Sequence, residues 1–257
     1  MISGILKHGR IIGALLMREI TTRFGREGLG FGWLVFEPLA FCVGVLILWT
    51  ASKPPYEHGL RLAPFVMTGY MSIILIRHQV SYSMGAVQAN IGLLHHRQLA
   101  PIHLLLSRNL LEVGGATIAF IIVYIALLGL GQVSPPHDYV LLYLGWCLLA
   151  WIGMGFGLTL TGLAMRFDVI ERIVPVTTYI LVPLSGAFFM VDWIPQNYRD
   201  AYLLLPFAHP IEMIRAGVFG EFVKTHYYPW YALVVGSGMN LVGLLLISSA
   251  RSMIDVE

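Results

Sequence analysis

The sequence predicts an all-α integral membrane protein with six transmembrane helices, an N-terminal amphipathic interface helix and a re-entrant outer-side segment before the last span. Three observations predict it. Of 257 residues, 57% are hydrophobic and only 12% are charged, whereas a soluble domain carries about 25% charge; mean hydropathy is +0.76. Six stretches approach the roughly 20 apolar residues that cross a bilayer. Lys and Arg also alternate between heavily and lightly charged connections. This composition excludes a water-soluble globular domain, a disordered chain and a conventional nucleic-acid binder. Cys42 and Cys147 both lie in apolar stretches, which argues against a disulfide framework or a zinc site.

Residues 1–31 form the first element, a cytoplasmic interface helix and elbow. At 100° per residue, Ile2, Ile5, Leu6, Ile12, Leu16, Met17, Ile20 and Phe24 share one sector of about 140°. Lys7, His8, Arg10 and Arg18 lie mostly opposite, while Arg23, Ile11 and Leu15 break the pattern. Such a helix lies in the interface with its basic face toward anionic headgroups. Its candidate interface residues are Lys7, Arg10, Arg18, Glu19 and Arg23. A plain basic tail that only sets topology is the alternative. Gly25, Gly28, Gly30 and Gly32 then let the chain turn into the first span.

The spans run at roughly 32–52, 64–84, 110–131, 139–164, 173–191 and 227–250, within one domain covering 32–257. Tyr139 to Met165 and Tyr227 to Ala250 contain no Asp, Glu, Lys or Arg. Glu37 and Pro38 sit one turn inside the first span, and Arg77 and His78 lie past the middle of the second. A further apolar run, AYLLLPFAHPI at 201–211, is too short to span and is broken by two prolines, so it reads as re-entrant or interfacial. Ten of the 16 Lys and Arg fall before span 1, between spans 2 and 3, between spans 4 and 5, and after span 6; the opposite side holds five and Arg77 is inside a span. The positive-inside rule therefore puts both termini in the cytoplasm. The N-terminus lacks the pattern of a cleavable signal peptide, so span 1 is expected to persist.

Several chemistries are missing. The three lysines follow Leu6, Ser52 and Val223, so no Gly-Lys pair and no phosphate-binding loop exists. No serine has a glycine two residues before it, and no His is followed by Glu, which removes the nucleophile elbow and the HExxH zinc site. The nine histidines lack ligand spacing. The expectation is a non-catalytic chain without a metal.

Three features are candidates for function. An arginine at the centre of a span costs about 2.5–3.5 kcal/mol on insertion scales, so Arg77 should face protein or water. With His78, Gln79, Ser81 and Tyr82 it forms a candidate translocation path for an anionic or hydroxyl-rich substrate. The alternative is a structural arginine paired with Glu37 or Glu112, or one snorkelling to an interface. The loop after span 2, SMGAVQANIGLLHHRQLAPIHLLLSRNLLE, suits a short crosswise helix at the membrane base on which a partner can push. An ordinary solvated loop is its alternative. Region 192–226 is a candidate outer gate carried by Trp193, Tyr198, Tyr202, Phe207, His209, Glu212 and Arg215. There, broken helices must pack in protein or line a cavity, and aromatic faces suit the apolar faces of sugars. An interfacial aromatic belt explains single members equally well.

The segment ALLMREITTRFGREGLGFGWLVFEPL at 14–39 resembles the opening signature of ABC-2-type exporter permeases, through its Arg-Glu-Ile, Arg-Phe, Leu-Gly-x-x-Trp and Glu-Pro. The loop with GAVQAN, GLL, Arg97 and Pro101-Ile102 is similar to that of the capsular polysaccharide export permeases of Gram-negative bacteria. LPFAHPIEMIRAGVF matches the family's stretch before span 6 through His209, Glu212 and Arg215.

The resemblance implies a homodimer of inner-membrane permeases joined to two ATP-binding cassette subunits that bind ATP and Mg, with no cofactor in this chain. It implies export of a lipid-linked acidic capsular polysaccharide, with a periplasmic co-polymerase-type adaptor and an outer-membrane channel as further partners. It places the main ATPase contact at Asn90, His95, His96, Arg97 and Gln98, and a smaller one at Arg166, Asp168, Glu171 and Arg172. His103 departs from the pattern, which expects an acidic residue after Pro-Ile. Two copies can enclose a polymer tunnel at their interface, and Gly153-x-x-x-Gly157 would allow close helix approach. The alternatives are a secondary transporter or channel, an O-antigen or teichoic-acid exporter permease, and an intramembrane transferase. The last is disfavoured by the lack of paired carboxylates or a nucleophile–base arrangement.

Overall fold

The computed structural model describes residues 2–24, 30–54, 56–57, 59–88, 90, 100–220 and 223–254. The described chain is almost entirely helical. Helix α1 (Ile2–Phe24) precedes α2 (Gly30–Ser52), and a two-stranded hairpin of β1 (Tyr56–Glu57) and β2 (Leu60–Arg61) leads into α3 (Leu62–Gln88). The strands are antiparallel, with Tyr56 opposite Arg61, and Gly59 closes the turn at φ 82°, a backbone conformation that glycine adopts without Cβ strain. Then follow α4 (Pro101–Gly129), α5 (Tyr139–Ala164), α6 (Asp168–Leu184), a 3₁₀ turn (Val191–Trp193), α7 (Gln196–Tyr202), α8 (Ala208–Phe219) and α9 (Pro229–Ile254).

Local chemistry sets the helix starts. Asp138 caps α5 by accepting the Leu141 N–H at 2.9 Å, a typical N-cap bond. Pro101 opens α4, where its missing N–H costs nothing, and the His103 Nδ1 accepts the Ala100 N–H at 3.1 Å in the manner of a capping box.

Four described helical segments are long and apolar enough to cross a membrane: Gly32–Ser52, Pro101–Gly129, Tyr139–Ala164 and Pro229–Ser249. They correspond to expected spans 1, 3, 4 and 6. Expected span 3 begins nine residues earlier than 110, at Pro101, because the proline starts the helix before the apolar run. Expected span 5, 173–191, is instead the 17-residue helix Asp168–Leu184 followed by a turn at 185–188. Its acidic first turn, Asp168 and Glu171, suits a helix N-terminus, and Gly186, in the left-handed conformation at φ 79° just after the C-cap Ser185, ends it early. At about 1.5 Å per residue it is close to 26 Å long, just short of a hydrocarbon core of about 30 Å.

The core sits around α3. From Leu62 to Ile76 nearly every residue is buried, so this half of the helix is apolar on all sides, as a central helix must be. Helices α4, α5, α6 and α8 pack around it. Glycines set several of the closest approaches. A methyl at Gly69 would overlap the Ala187 carbonyl. On α5, Gly153 and Gly157 abut Gln79 and Ser83 of α3, so that pair serves packing within the chain. The α5–α9 seam is equally tight: a Cβ at Gly155 would lie 2.7 Å from the Asn240 Nδ2, at Gly162 2.6 Å from the Leu246 Cβ, and at Gly243 2.7 Å from the Leu158 Cβ. Small residues permit such backbone contact where lipid supplies no hydrophobic drive between helices.

Candidate functional site

The molecule has two ends and a polar middle. The end carrying α1 is termed the base here, and the end carrying the hairpin, the 3₁₀ turn and α7 the cap. Each holds part of the predicted site.

In the cap, the segment 185–228 is tied by buried polar groups. Arg215 is fully buried. Its Nη1 donates to the Gly186 carbonyl at 2.8 Å and the Phe189 carbonyl at 2.6 Å, and its Nη2 to the Ala187 carbonyl at 2.6 Å. The guanidinium also lies over the Phe65 ring at 4.5 Å and 3.6 Å from Glu212. Glu212, 1% exposed, accepts backbone N–H groups from Val191 at 3.3 Å and His226 at 3.2 Å. Burial pushes its carboxyl above the ordinary value, while Arg215 and the two amides pull it back.

His209 is also fully buried. Its Nδ1 accepts the Tyr228 N–H at 3.0 Å, which leaves Nε2 to carry the proton and donate to the Leu203 carbonyl at 2.8 Å. Burial lowers its pKa, in keeping with that neutral ring. Phe207 is buried edge-on to Phe156 at 5.5 Å, and the Tyr202 hydroxyl donates to the Leu184 carbonyl at 2.9 Å. Trp193 packs on Phe65 at 5.1 Å, and Tyr198 is exposed.

Of the seven predicted gate residues, His209, Glu212 and Arg215 thus face protein backbone, because their polar atoms satisfy carbonyls and amides of a turn-rich segment. Tyr198 faces outward. A surface cluster missed in the sequence completes the cap. His226 Nε2 donates to Asp192 at 2.9 Å, and Arg199 stands 3.4 Å from the same carboxylate. The His226 hydrogen bond holds the Asp192 carboxyl below its ordinary value.

In the middle, α3 turns polar. His78, not Arg77, meets the two glutamates: its Nδ1 lies 3.4 Å from Glu112 of α4 and its Nε2 3.9 Å from Glu37 of α2. The Tyr82 hydroxyl donates to Glu37 at 3.4 Å. Arg77 turns the other way, over the Tyr179 ring of α6 at 5.1 Å. It lines a cleft of about 370 Å³ with Ser81, Thr178, Glu171 and Pro175. Gln79 is 1% exposed and donates to the Ala150 carbonyl of α5 at 2.9 Å. The five predicted path residues therefore divide three ways, since successive positions on a helix point about 100° apart.

At the base, α1 packs on α4 and α2. Leu15, which interrupts the apolar sector, is buried, whereas Met17, within that sector, is 61% exposed. The side of this helix packed on α4 and α2 does not coincide with the apolar sector, because packing against neighbouring helices and not the sector alone decides which side chains are covered. Glu19, 3% exposed, lies 3.4 Å from both Arg18 and Arg108. Arg18 donates to the Asn90 side-chain oxygen, whose amide donates to the Ala86 carbonyl at 2.9 Å. Arg108 also donates to the Tyr82 carbonyl at 3.0 Å, and Arg10 is exposed. Because His103 Nδ1 accepts the Ala100 amide, its Nε2 carries the proton and donates to His8 Nδ1 at 2.7 Å.

The remaining loop residues His95, His96, Arg97 and Gln98 lie outside the described residues, as do the side chains of Lys7 and Arg23. Asp168, Glu171 and Arg172 are exposed at the start of α6, and Arg166 donates to Ser249 of α9.

Comparison with known proteins agrees along the whole chain. Residues 10–219 match the ABC-2 type transporter family. The chain is 35% identical, over 96% of its length and 93% of the relative's, to the capsule polysaccharide export inner-membrane protein CtrC of Neisseria meningitidis serogroup A. It is 36% identical to the capsule polysaccharide export inner-membrane protein BexB of Haemophilus influenzae, over 97% of this chain and 94% of that one. With the polysialic acid transport protein KpsM of Escherichia coli it shares 28% identity over 87% of this chain and 88% of the other. A bundle of apolar helices with an N-terminal helix at its base, matched across these residues, makes this chain a member of the ABC-2 type transporter family.

Proposed function

We propose that this chain is the inner-membrane permease subunit of an ATP-driven exporter of lipid-linked acidic capsular polysaccharide. The observation that carries the reading is the end-to-end similarity to capsule export inner-membrane proteins, 35–36% identical over 93–97% of this chain. In this reading α2, α3, α4, α5, α6 and α9 are six spans, both termini are cytoplasmic, and α7 with α8 forms the re-entrant outer segment. Two copies enclose the tunnel, and two ATP-binding cassette subunits, which hold ATP and Mg, drive it. A periplasmic adaptor and an outer-membrane channel continue the route.

The loop containing Asn90, His95, His96, Arg97 and Gln98 receives the ATPase, with Arg166, Asp168, Glu171 and Arg172 as the smaller contact. Exposure of the latter four supports this role. Arg77 and Ser81 line the path in the cleft beside α6, His78 and Tyr82 border it from the α2–α4 side of α3, and the cap between residues 192 and 226 is the outer gate, in which Tyr198 is the exposed aromatic. Gln79, Glu212 and Arg215 hold the walls of that route by their buried bonds.

One observation favours a second reading: a histidine between two glutamates inside the bundle is an arrangement that a proton-linked secondary transporter uses. One experiment separates the two. The tagged protein is recovered from native membranes in mild detergent and its partners are identified by mass spectrometry. A stoichiometric subunit bearing a GxxxxGK[ST] loop, with ATP hydrolysis stimulated by the glycan, is expected. Recovery of the chain alone, under conditions that preserve a known ATP-driven exporter, would overturn the proposal in favour of the secondary transporter.

A further inference from the structure

We propose that the cap ends of α2, α3 and α4 form a binding site for one anionic phospholipid of the surrounding membrane. The site has two joined parts. The first is an apolar groove of about 500 Å³ between α2 and α4, floored by the start of α3. One wall is Leu39, Val43 and Ile47 of α2, and the other is Ile122, Ala126 and Leu130 of α4. Each set follows i, i+4, i+8 spacing, so each is a straight ridge along one helix face. From Leu39 to Thr50 the groove follows α2 for about 16 Å at 1.5 Å per residue, which is about half of a hydrocarbon core near 30 Å thick. It therefore has the length of one acyl chain in one leaflet. Thr50, one of its two polar lining residues, already donates to the Leu46 carbonyl at 2.7 Å, so the groove offers a polar ligand almost nothing.

The second part is a chamber of about 350 Å³ with mainly apolar walls, including Leu60, Val133 and Phe219, into which Arg61, Gln132, Ser134 and His137 bring polar groups. Gln132 borders both spaces, and Arg61 is followed directly by Leu62 and Ala63 of the groove floor. No carboxylate is among the described lining residues of the chamber. The Arg61 Nη1 donates to the Gly131 carbonyl, which anchors the side chain at the chamber and leaves its other N–H groups free to serve a phosphate. An apolar slot one leaflet deep, ending at a chamber that carries a guanidinium and no carboxylate among its described lining residues, has the shape and charge of a phospholipid with an anionic headgroup. A hydrated glycan fits only the chamber. The site depends on α2 and α4 lying in the membrane and not on the capsule reading, so it can fail or stand separately.

The test uses the full chain in lipid nanodiscs doped with phosphatidylglycerol or phosphatidylcholine carrying a diazirine in one acyl tail. Light-induced adducts are then located by mass spectrometry. The expected result is adducts concentrated at Val43, Ile47 and Ala126, with phosphatidylglycerol favoured about fivefold, as one arginine at an anionic surface provides. Arg61→Gln should bring the two lipids to parity while Arg61→Lys keeps the preference. Ala126→Trp, which fills the groove from the exposed side, should remove the adducts with unchanged unfolding temperature. Adducts spread evenly over the lipid-facing sides of α2, α5 and α9, or equal labelling by both lipids, would overturn the site. So would efficient Ile47→Cys cross-linking between two copies in the same nanodiscs, which would make the occupant a second chain.

Discussion

The cap and the base both bury charge, but they do so with different partners. In the cap, Arg215 spends its guanidinium on three backbone carbonyls and Glu212 accepts two backbone amides. Main chain satisfies side chain, in a volume closed to solvent. At the base, Glu19, Arg18, Arg108 and Asn90 meet mainly through side chains, with two backbone carbonyls, those of Tyr82 and Ala86, at the edge, and Arg18 is 31% exposed. A backbone carbonyl has no rotamers, so the cap network has essentially one arrangement. A ring of side chains can exchange partners at little cost, particularly near water. The difference teaches that polar density alone does not mark a moving part; the kind of partner does.

The comparison breaks first at Arg215. Arg215→Met removes three carbonyl bonds and strands the Glu212 carboxyl, and loss of one partner from a buried pair costs about 3–5 kcal/mol. A large fall in unfolding temperature, or no folded protein in detergent, is expected. Near-normal stability would show that the cap is not locked. Gly69→Ala comes next. Its added methyl collides with the Ala187 carbonyl of the same turn, and overpacking of this kind costs about 1–3 kcal/mol. Thermal unfolding of the two single variants and the double variant should show strong non-additivity, since Arg215 Nη2 and Gly69 meet the same carbonyl.

Glu19→Gln should be milder than Arg215→Met, about 1.5–3 kcal/mol, because Glu19 is buried but the amide keeps an acceptor oxygen for Arg18 and Arg108. Its larger effect belongs to communication. Substrate stimulation of ATP hydrolysis in the assembled exporter should fall while basal hydrolysis and assembly persist. Unchanged stimulation would make the base a static joint like the cap. The smallest effect is Asp192→Asn. The folded pKa of Asp192 is depressed by its hydrogen bond from His226, so its contribution is present above the ordinary carboxylate value near 3.9 and is lost as pH falls through the folded value. Unfolding temperature should differ between wild type and Asp192→Asn at pH 6 by the equivalent of less than about 1 kcal/mol. That difference should shrink as pH falls below the ordinary carboxylate value and vanish once it passes the depressed folded one.

Much of this was legible in the sequence. The long helices and the broken segment at 191–219 follow from apolar run length and proline position, while the elbow expected at Gly25 and Gly28 lies outside the described residues. The directions of single side chains were less so. Arg77, His78 and Gln79 are three consecutive letters, yet they face α6, the α2–α4 glutamates and α5. Knowing that an arginine is inside a span does not say which neighbour it meets, and Glu37 and Glu112 go to His78. Glu19 reads as part of a polar face until Arg108, some 90 residues later, is folded against it. Asp192, Arg199 and His226 carry no spacing signal, since a loop joins them. In each case the missing information is tertiary contact, which composition and periodicity do not contain.

The glycine seam between α5 and α9 has a mechanical consequence. Asn240 of α9 donates to the Trp151 carbonyl at 3.0 Å, and Thr159 of α5 donates to the Met239 carbonyl at 2.9 Å, so the seam is pinned as well as close. Two helices of 26 residues each, joined backbone to backbone, resist sliding and bending far better than two separate rods. At about 1.5 Å per residue the pair is some 39 Å long. It reaches from the Arg166–Ser249 contact at one end to the cap segments packed on α5 and α9 at the other. In the proposed exporter, a stroke delivered beside Arg166 would not be absorbed as local compression. It would emerge at the cap as tilt, the behaviour of a rocker arm whose input and output ends move in opposite senses.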